Sequence, residues 1–579
     1  MRGVFGDNKS GIRHSSGAPS AFPSCSGFIR GFVMRYGFFP KLAQRWLSSP
    51  LLLAVLAGPL AHATTVEQQP LLADRQTLVK GNGAEPESLD PALVRSGFPG
   101  EAVLVDLFEG LVSDDGQGHI VPAQALRWEV SDDGLEWRFF LRPQLKWSNG
   151  EPLVAADFVY AWRRLLDPAI NSPSAGLLLA TGINNAQSIY AGALELGNLG
   201  IEAQSDQILK ITLERPAPYF LQLISQRPFV PVNQKAIAKF GKQWTEPGKL
   251  VSNGAYRLVS WTPNERIEAE RNIHYWDDLH TRIGRVTYLP ITSQHAERLR
   301  YEAGEIQLTN KVSLGYYQKM KRESPERLWG LPLFGTYIYA FNLKRPELQD
   351  ARVRQALSMA VDRQQLIESV SGQDEQAAWS LLPEMPGYPR VILPVALEDM
   401  PTRQAKAAAL LSAAGYNSAN PLKLSITYNS AETHKQMAMA IAAMWQKLGV
   451  QVTLNSLEWG AYQVVKDSGD FQVARSFLFG DYVEPSAMLG SFRCQDLRNE
   501  SGYCNPDFDL LLEQAANTLD SASRVELYRH AEQLLLEEAP ILPVYHYNQM
   551  RLVDPTLRGL PSQNLKGTIA TKDLYFSPQ

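Results

Sequence analysis

The sequence predicts a mixed α/β protein whose C-terminal half contains an α/β lobe, and three consecutive segments carry that prediction. Residues 421–428 alternate, placing Leu422, Leu424, Ile426 and Tyr428 on one face of a strand. Residues 432–448 are rich in Ala and Met at helical spacing, and Gly449 supplies a C-terminal stop. Val450, Val452 and Leu454 then resume strand alternation. Strand, helix and strand in that order form a βαβ unit, which implies parallel strands with a right-handed crossover.

Further helices follow the same logic. Asp350 can cap a helix over 351–370, where Val353, Ala356, Leu357, Ala360 and Val361 recur at helical spacing. Residues 402–414, ended by Gly415, form another. Up to about Tyr288 the mature chain is dominated by strand-like segments, such as 76–80, 137–141 and 208–213. No repeat, low-complexity block or long linker follows Thr64. Mixed lobes of this kind commonly hold ligands in a crevice between them.

The N-terminal region reads as targeting rather than fold. From Met34 come Arg35, Lys41 and Arg45, an apolar run over 50–57, and the small-x-small end Ala61-His62-Ala63. These are the parts of a secretory signal peptide, with cleavage expected after Ala63. The apolar run is about half the roughly 20 residues that a membrane-spanning helix needs. No cysteine follows it to carry a lipid. Residues 1–33, rich in Gly, Ser and Arg, are read as an extension before a start at Met34, or as an unusually long leading region.

Residues 64–579 carry 49 basic and 59 acidic side chains, a formal net charge of −10. That balance argues against nucleic acid and anionic membrane surfaces, which require basic patches. Their 516 residues exceed one core and call for two or three domains. Only Cys494 and Cys504 remain, and in an oxidising compartment the pair reads as one local disulfide. Two free buried thiols are the alternative, which the export signal disfavours; no nearby His supports zinc.

Signals for catalysis are weak. No Gly-x-Ser-x-Gly elbow or His-Glu-x-x-His helix occurs, and Gly81-Asn82-Gly83 lacks the third glycine of a dinucleotide loop. His274, Asp277, Asp278 and His280 gather possible metal ligands, but a polar stretch with Tyr275 and Trp276 reads as a packed, solvated loop. Neither a cofactor nor a metal is expected, and the chain is read as a non-enzyme.

One region is more specific. Trp128, Trp137, Phe140-Leu141-Arg142, Lys146-Trp147-Ser148-Asn149-Gly150, Pro152, Ala156-Asp157-Phe158-Val159 and Trp162 occur in this order and spacing. The stretch resembles the extracellular solute-binding proteins that serve oligopeptide, dipeptide and murein-peptide ABC transporters. The resemblance extends over Ser88-Leu89-Asp90-Pro91, Asn253-Gly254-Ala255-Tyr256, Asp350–Arg354, Phe471–Arg475, Gly480-Asp481-Tyr482 and Leu542-Pro543-Val544-Tyr545. It implies a periplasmic binding protein fold: two hinged lobes and an inserted third domain, closing on a peptide. The expected division is lobe I over 64–108, 233–335 and 549–579, an inserted domain over 109–232, and lobe II over 336–548. It further implies a periplasmic, monomeric protein that hands short peptides to permease subunits in the inner membrane.

The resemblance also assigns residues. A buried zwitterion needs both ends paired, since an unpaired buried charge is costly. Asp481 falls where relatives hold the peptide amine, and Arg475 where they answer its carboxylate with a bidentate fork. Lys466 stands where relatives often carry Arg, as a weaker, more mobile cation. Phe477, Leu478 and Phe479 offer main-chain groups to an added peptide strand, which permits broad specificity. Trp459, Asn310, Tyr547 and Phe98 complete the cleft lining. Read without the resemblance, Asp481 is a turn residue, Arg475 a surface ion-pair partner, and the aromatics core.

Departures from generic oligopeptide binders are Ala340 in place of an acid, Ser174 in place of Tyr, and Gly335 and Phe479 in place of a cysteine pair. The segments 337–342 and 351–359 look more like murein-tripeptide binders, and loss of the acid at 340 would favour an anionic ligand side chain. The alternatives are a clamp for a non-peptide solute (a nickel chelate, an opine or a peptide-like antibiotic) and a periplasmic hydrolase.

Overall fold

The computed structural model describes residues 76–578 apart from 95, 96 and 98. The export segment, the 1–33 extension and Phe98 lie outside the described residues. Strand β1 (Thr77–Gly81) opens the fold. An antiparallel sheet follows from β2 (Ala125–Val130), β3 (Glu136–Leu141), β4 (Ile201–Ser205) and β5 (Ile208–Thr212), ordered β2-β3-β5-β4. Strands β6 (Tyr256–Thr262), β7 (Arg266–Arg271) and β8 (Arg285–Leu289) then return to β1, which lies parallel to β8 in a sheet ordered β1-β8-β7-β6.

The C-terminal half builds a six-stranded sheet from β9 (Leu328–Phe341), β10 (Gln376–Ala377), β11 (Lys423–Asn429), β12 (Gln451–Leu457), β13 (Val473–Phe479) and β14 (Ile541–Leu552). Its order is β10-β14-β9-β13-β11-β12. The expected βαβ unit is present: β11 and β12 pair in parallel from Lys423↔Gln451 to Asn429↔Leu457, joined through the helix Glu432–Gln446. Leu422, Leu424, Ile426 and Tyr428 are all buried, as their alternation required. β12 departs from the sequence pattern: it is the outermost strand, and Leu454 is exposed. Alternation identifies a strand but not which of its faces is covered.

The segment 351–370 is not one helix. The helix Ala351–Met359 starts at the Asp350 cap, whose carboxylate accepts Arg352 N at 2.9 Å. A new turn, Arg363–Leu366, starts at Asp362, whose side chain accepts Gln365 N at 3.1 Å. The apolar spacing runs across the break, but a second capping residue within it starts a new turn.

In the aromatic signature region, Trp147 and Trp162 are buried and Gly150 takes φ 86° at the turn, a conformation that suits glycine. Asp157 sits in the first turn of the helix Ala155–Leu165 and accepts Val154 N at 2.9 Å and Trp147 Nε1 at 3.3 Å. That acid is thus both a helix-end anchor and a clasp on the tryptophan beneath the turn.

A buried polar knot ties the chain's early and late segments. Lys80 Nζ on β1 reaches Asp106 at 3.1 Å and Thr571 Oγ1 at 2.9 Å. Asp106 also accepts Thr571 N at 2.7 Å and the Tyr288 hydroxyl of β8. One carboxylate thereby holds three segments, and its loss would leave the Lys80 ammonium buried and unpaired. Asp106→Ala is expected to destabilise the protein by about 3–5 kcal/mol, read as a lower urea midpoint with the slope unchanged.

Candidate functional site

Strand β13 carries most of the expected site, and its pairing is asymmetric. On one side it joins β9 antiparallel along its whole length, from Gly335↔Phe479 to Phe341↔Val473. On the other it joins β11 only at Ile426↔Val473 and Thr427↔Ala474. From Arg475 to Phe479 the second edge has no partner strand among the described residues. Unpaired N–H and C=O groups on such an edge are a template for an added strand. Side chains alternate across it, so Arg475, Phe477 and Phe479 share one face while Ala474, Ser476 and Leu478 share the other.

Arg475 begins the free edge and is only 6 % exposed. Its Nη1 donates to Asn429 Oδ1 at 3.4 Å and its Nη2 to the Tyr547 hydroxyl at 3.2 Å, while Nε has no partner. The guanidinium lies 4.8 Å from the Tyr337 ring centroid and 5.1 Å from that of Phe477, close enough for cation–π attraction. No Asp or Glu among the described residues pairs with it. Burial works against its charge, but Tyr337 and Tyr547 outweigh that and hold its pKa above the ordinary arginine value. The result is a buried cation with aromatic support and no counter-ion.

Asp481 lies just beyond the other end of the edge. Gly480 N donates to Phe334 O at 3.0 Å, turning the chain out of the sheet. Asp481 is exposed and, among the described residues, makes no hydrogen bond or ion pair. The protein crowding around it still removes enough water to push its carboxyl above the usual aspartate range, with Arg498 opposing. An anion and a cation, neither with a counter-ion within ion-pair distance among the described residues, thus bracket one free strand edge.

The neighbouring residues divide into those at this edge and those elsewhere. Phe477 and Phe479 are 40 % and 43 % exposed, too open for plain core, and Leu478 is half-buried between them. Tyr547 stacks on Phe479 with ring centroids 4.8 Å apart. Trp459 is exposed and reaches the edge through Tyr462, whose ring is 6.1 Å away and whose hydroxyl donates to Arg475 O. Asn310 makes no recorded contact with β13: its N–H goes to Glu297 at 2.7 Å, and its side chain packs on Gly83.

Lys466 differs from the expectation of a mobile cation. It is buried, with Nζ 2.6 Å from Glu500 and 3.1 Å from Ser476 Oγ. Its partner came from a loop 34 residues on, which no local pattern could announce. His434 was missed altogether. It contacts the Tyr337 hydroxyl at 3.1 Å, and burial together with Arg475 lowers its pKa to about 4, so it is neutral at pH 7. A lone His near a helix start carries no sequence signal for that place.

The departures also find locations. Ala340 is buried opposite Ala474 in a small cluster with Phe471, so it does not line the free edge. Ser174 is buried far along the chain, its hydroxyl 3.4 Å from Val94 O. Gly335 faces Phe479 across the β9–β13 ladder, and a Cβ there would lie 2.2 Å from the Phe479 ring. Cys494 and Cys504 form a disulfide with Cα atoms 4.4 Å apart. No cluster of three or more potential metal ligands occurs among the described residues. A cavity of about 1380 Å³, lined by Asp90, Arg164, Leu199 and Trp244 among others, contains none of the β13 residues. The site is therefore an open strand edge and not that cavity.

Gly335→Ala should force the Phe479 ring off its position, as overpacking in a fitted contact costs about 1–3 kcal/mol. A lowered Tm together with an altered near-ultraviolet aromatic spectrum is the expected result.

Comparison with known proteins places the chain. Residues 119–498 match the bacterial extracellular solute-binding proteins, family 5. The periplasmic murein peptide-binding protein of Escherichia coli K12 is 41 % identical over 526 residues, covering 90 % of this chain and 97 % of that protein. The periplasmic oligopeptide-binding protein of Salmonella typhimurium LT2 is 39 % identical over 533 residues, covering 92 % and 98 %. The solved murein tripeptide binding protein in its unliganded open form superposes with a TM-score of 0.79 at 41 % identity, over 87 % of this chain and 98 % of that one. The chain belongs to the family 5 solute-binding proteins and has the multi-domain α/β fold of periplasmic binding proteins.

Proposed function

We propose that this chain is the periplasmic substrate-binding component of a peptide ABC transporter, and that it binds short peptides along the free edge of β13. The observation that carries the reading is the pairing of that edge with two unmatched charges. A peptide added antiparallel to β13 would bring its ammonium to Asp481 and its carboxylate to Arg475. Main-chain pairing along 476–479 would hold any sequence, which suits a broad diet.

The spacing bounds the ligand. Arg475 and Asp481 are six residues apart, about 20 Å at roughly 3.3 Å per strand residue. Allowing for the lengths of the two side chains, that span suits a peptide of about three or four residues. Likeness to a murein-peptide binder and to an oligopeptide binder supports both ligand classes, and murein tripeptide fits the length. In this reading the lobes divided near residues 108, 232, 335 and 548 close over the peptide. A signal peptide ending at Ala63 exports the protein, which acts as a monomer with permease subunits of the inner membrane. Its family is a solute-binding one, and the reading assigns it no reaction.

Asp481→Ala is expected to weaken binding of a free-amine tripeptide by roughly 100-fold or more, because the buried ammonium loses its partner. Acetylating the peptide amine should weaken binding to the wild-type protein comparably. Calorimetry on the purified mature chain reads both; unchanged affinity in either would refute the amine clamp. Persistent binding of one defined non-peptide mass in native mass spectrometry would favour a different solute.

The pH dependence has a fixed sign. Binding the ammonium requires the Asp481 carboxylate, whose pKa in the free protein lies above the ordinary 3.8. Affinity is therefore full above that raised pKa and falls as pH drops through it, with a proton released on binding within that window. Calorimetry in buffers of different ionisation enthalpy should show this proton release, and Asp481→Asn should remove it.

A further inference from the structure

We infer that Glu500 sets the charge preference of a side-chain subsite on the second face of β13, selecting peptides that carry a cationic side chain there. The inference rests on the peptide-binding reading and deepens it.

An added strand continues the pleat of the strand it joins, so its side chains point alternately to the two faces of the sheet. One set would meet the Arg475, Phe477 and Phe479 face. The other would meet the face carrying Ser476. That second face is marked by the contact of Ser476 Oγ with Lys466 Nζ at 3.1 Å and by the buried pair Ala340 and Ala474. Against these residues, with Phe471 and Val465, the helix Trp459–Ser468 seats Lys466, whose Nζ reaches this side of the strand.

A lysine here would ordinarily attract an acidic ligand side chain. The structure gives its charge another partner: Glu500 lies 2.6 Å from Nζ, and the Tyr462 ring centroid 5.5 Å from it. The two ends of this pair differ in access. The Lys466 side chain is 7 % exposed and the Glu500 side chain 30 %. The more exposed end of the pair is thus the carboxylate. An acidic ligand side chain would have to displace a protein carboxylate already in place, while an ammonium or guanidinium side chain can join the accessible oxygen. Charged hydrogen bonds of this kind are the stronger class.

The position of Glu500 is itself fixed. It lies between Cys494 and Cys504, whose disulfide closes the loop. Asn499 crosses the loop base, its Nδ2 donating to Tyr503 O at 2.7 Å and to Arg493 O at 3.1 Å. Arg498, the next cation along the loop, is committed to Asp496 through two bonds of 2.9 and 2.7 Å. Glu500 is therefore held by a braced loop and presents one geometry to the ligand.

The test is a tripeptide series with Lys, Glu or Ala placed at each position in turn, titrated calorimetrically against wild-type and variant proteins. The wild-type protein should bind the Lys peptides more tightly than the Glu peptides, at positions of one parity only. Glu500→Gln exposes Lys466 and should move the Lys-to-Glu affinity ratio at those positions by about tenfold or more towards Glu. A ratio that does not move overturns the inference. If Glu500→Gln lowers Tm so far that titration fails, the double variant Lys466→Met with Glu500→Gln removes both charges. It should bind Lys and Glu peptides alike, and a retained preference overturns the inference equally. Asp481→Asn in the same series separates the two readings. Binding of all peptides undiminished by that change refutes the clamp itself, whereas its loss alongside an unmoved ratio refutes only the role of Glu500.

Discussion

A buried guanidinium without a carboxylate is the constraint around which the binding half of this protein is arranged. Such a charge would normally be neutralised by a nearby Asp or Glu. Arg475 is instead held by dispersed, weaker partners: the Tyr547 hydroxyl, the Asn429 amide and the faces of Tyr337 and Phe477. These keep the side chain charged and oriented without cancelling its field. The tyrosines are themselves braced, with Tyr337 stacked on Tyr545 at 4.8 Å and Tyr547 on Phe479 at the same distance. Neutral His434 adds no competing charge. In the proposed binding mode a peptide carboxylate would supply the counter-ion that the protein itself does not.

The scaffold explains how so exposed an edge survives. β13 sits inside a six-stranded sheet, firmly paired to β9, and becomes an edge only because β11 parts from it after Ala474. The free stretch is short, which limits unwanted strand pairing between molecules. β9 and β14 in turn pair in three runs, with a shift between Tyr337 and Ile338 and a longer interruption between Pro332 and Thr336, where β9 contains extra residues. Phe334 and Gly335 lie in this interruption. One accepts the Gly480 N–H and the other gives room to the Phe479 ring. The irregularity in β9 is thus where the turn before Asp481 is moulded.

The parts of this fold legible in the sequence were those written in local pattern. The βαβ unit showed itself through period-two and period-3.6 spacing, and the Asp350 cap through a single residue with one conformational role. What pattern could not carry were contacts between distant segments. Lys466 looked like a free cation because Glu500 is far along the chain, and the polar knot of Lys80, Asp106, Tyr288 and Thr571 spans almost the whole described chain. The 351–370 helix was over-extended because its apolar spacing continues through a break that Asp362 caps. Asp481 reads as a turn residue on its own terms, and that is also true locally; only the resemblance assigns it a ligand role.

Two kinds of recognition follow from this geometry, and they are physically separable. In the proposed mode the strand edge and the terminal charges would meet only what every short peptide shares, and so would supply affinity without reading sequence. Selection among peptides has to come from the two faces of the sheet, where alternate ligand side chains meet different chemistry. One face is aromatic and carries the Arg475 charge; the other carries Ala474 and Ser476, with the Lys466–Glu500 ion pair against it. Because the ladder fixes which residues point to which face, a change of one residue in register exchanges the two environments. In the proposed mode, anchoring the amine at Asp481 would therefore be more than a source of binding energy. By pinning the register it would decide which ligand side chain each face meets.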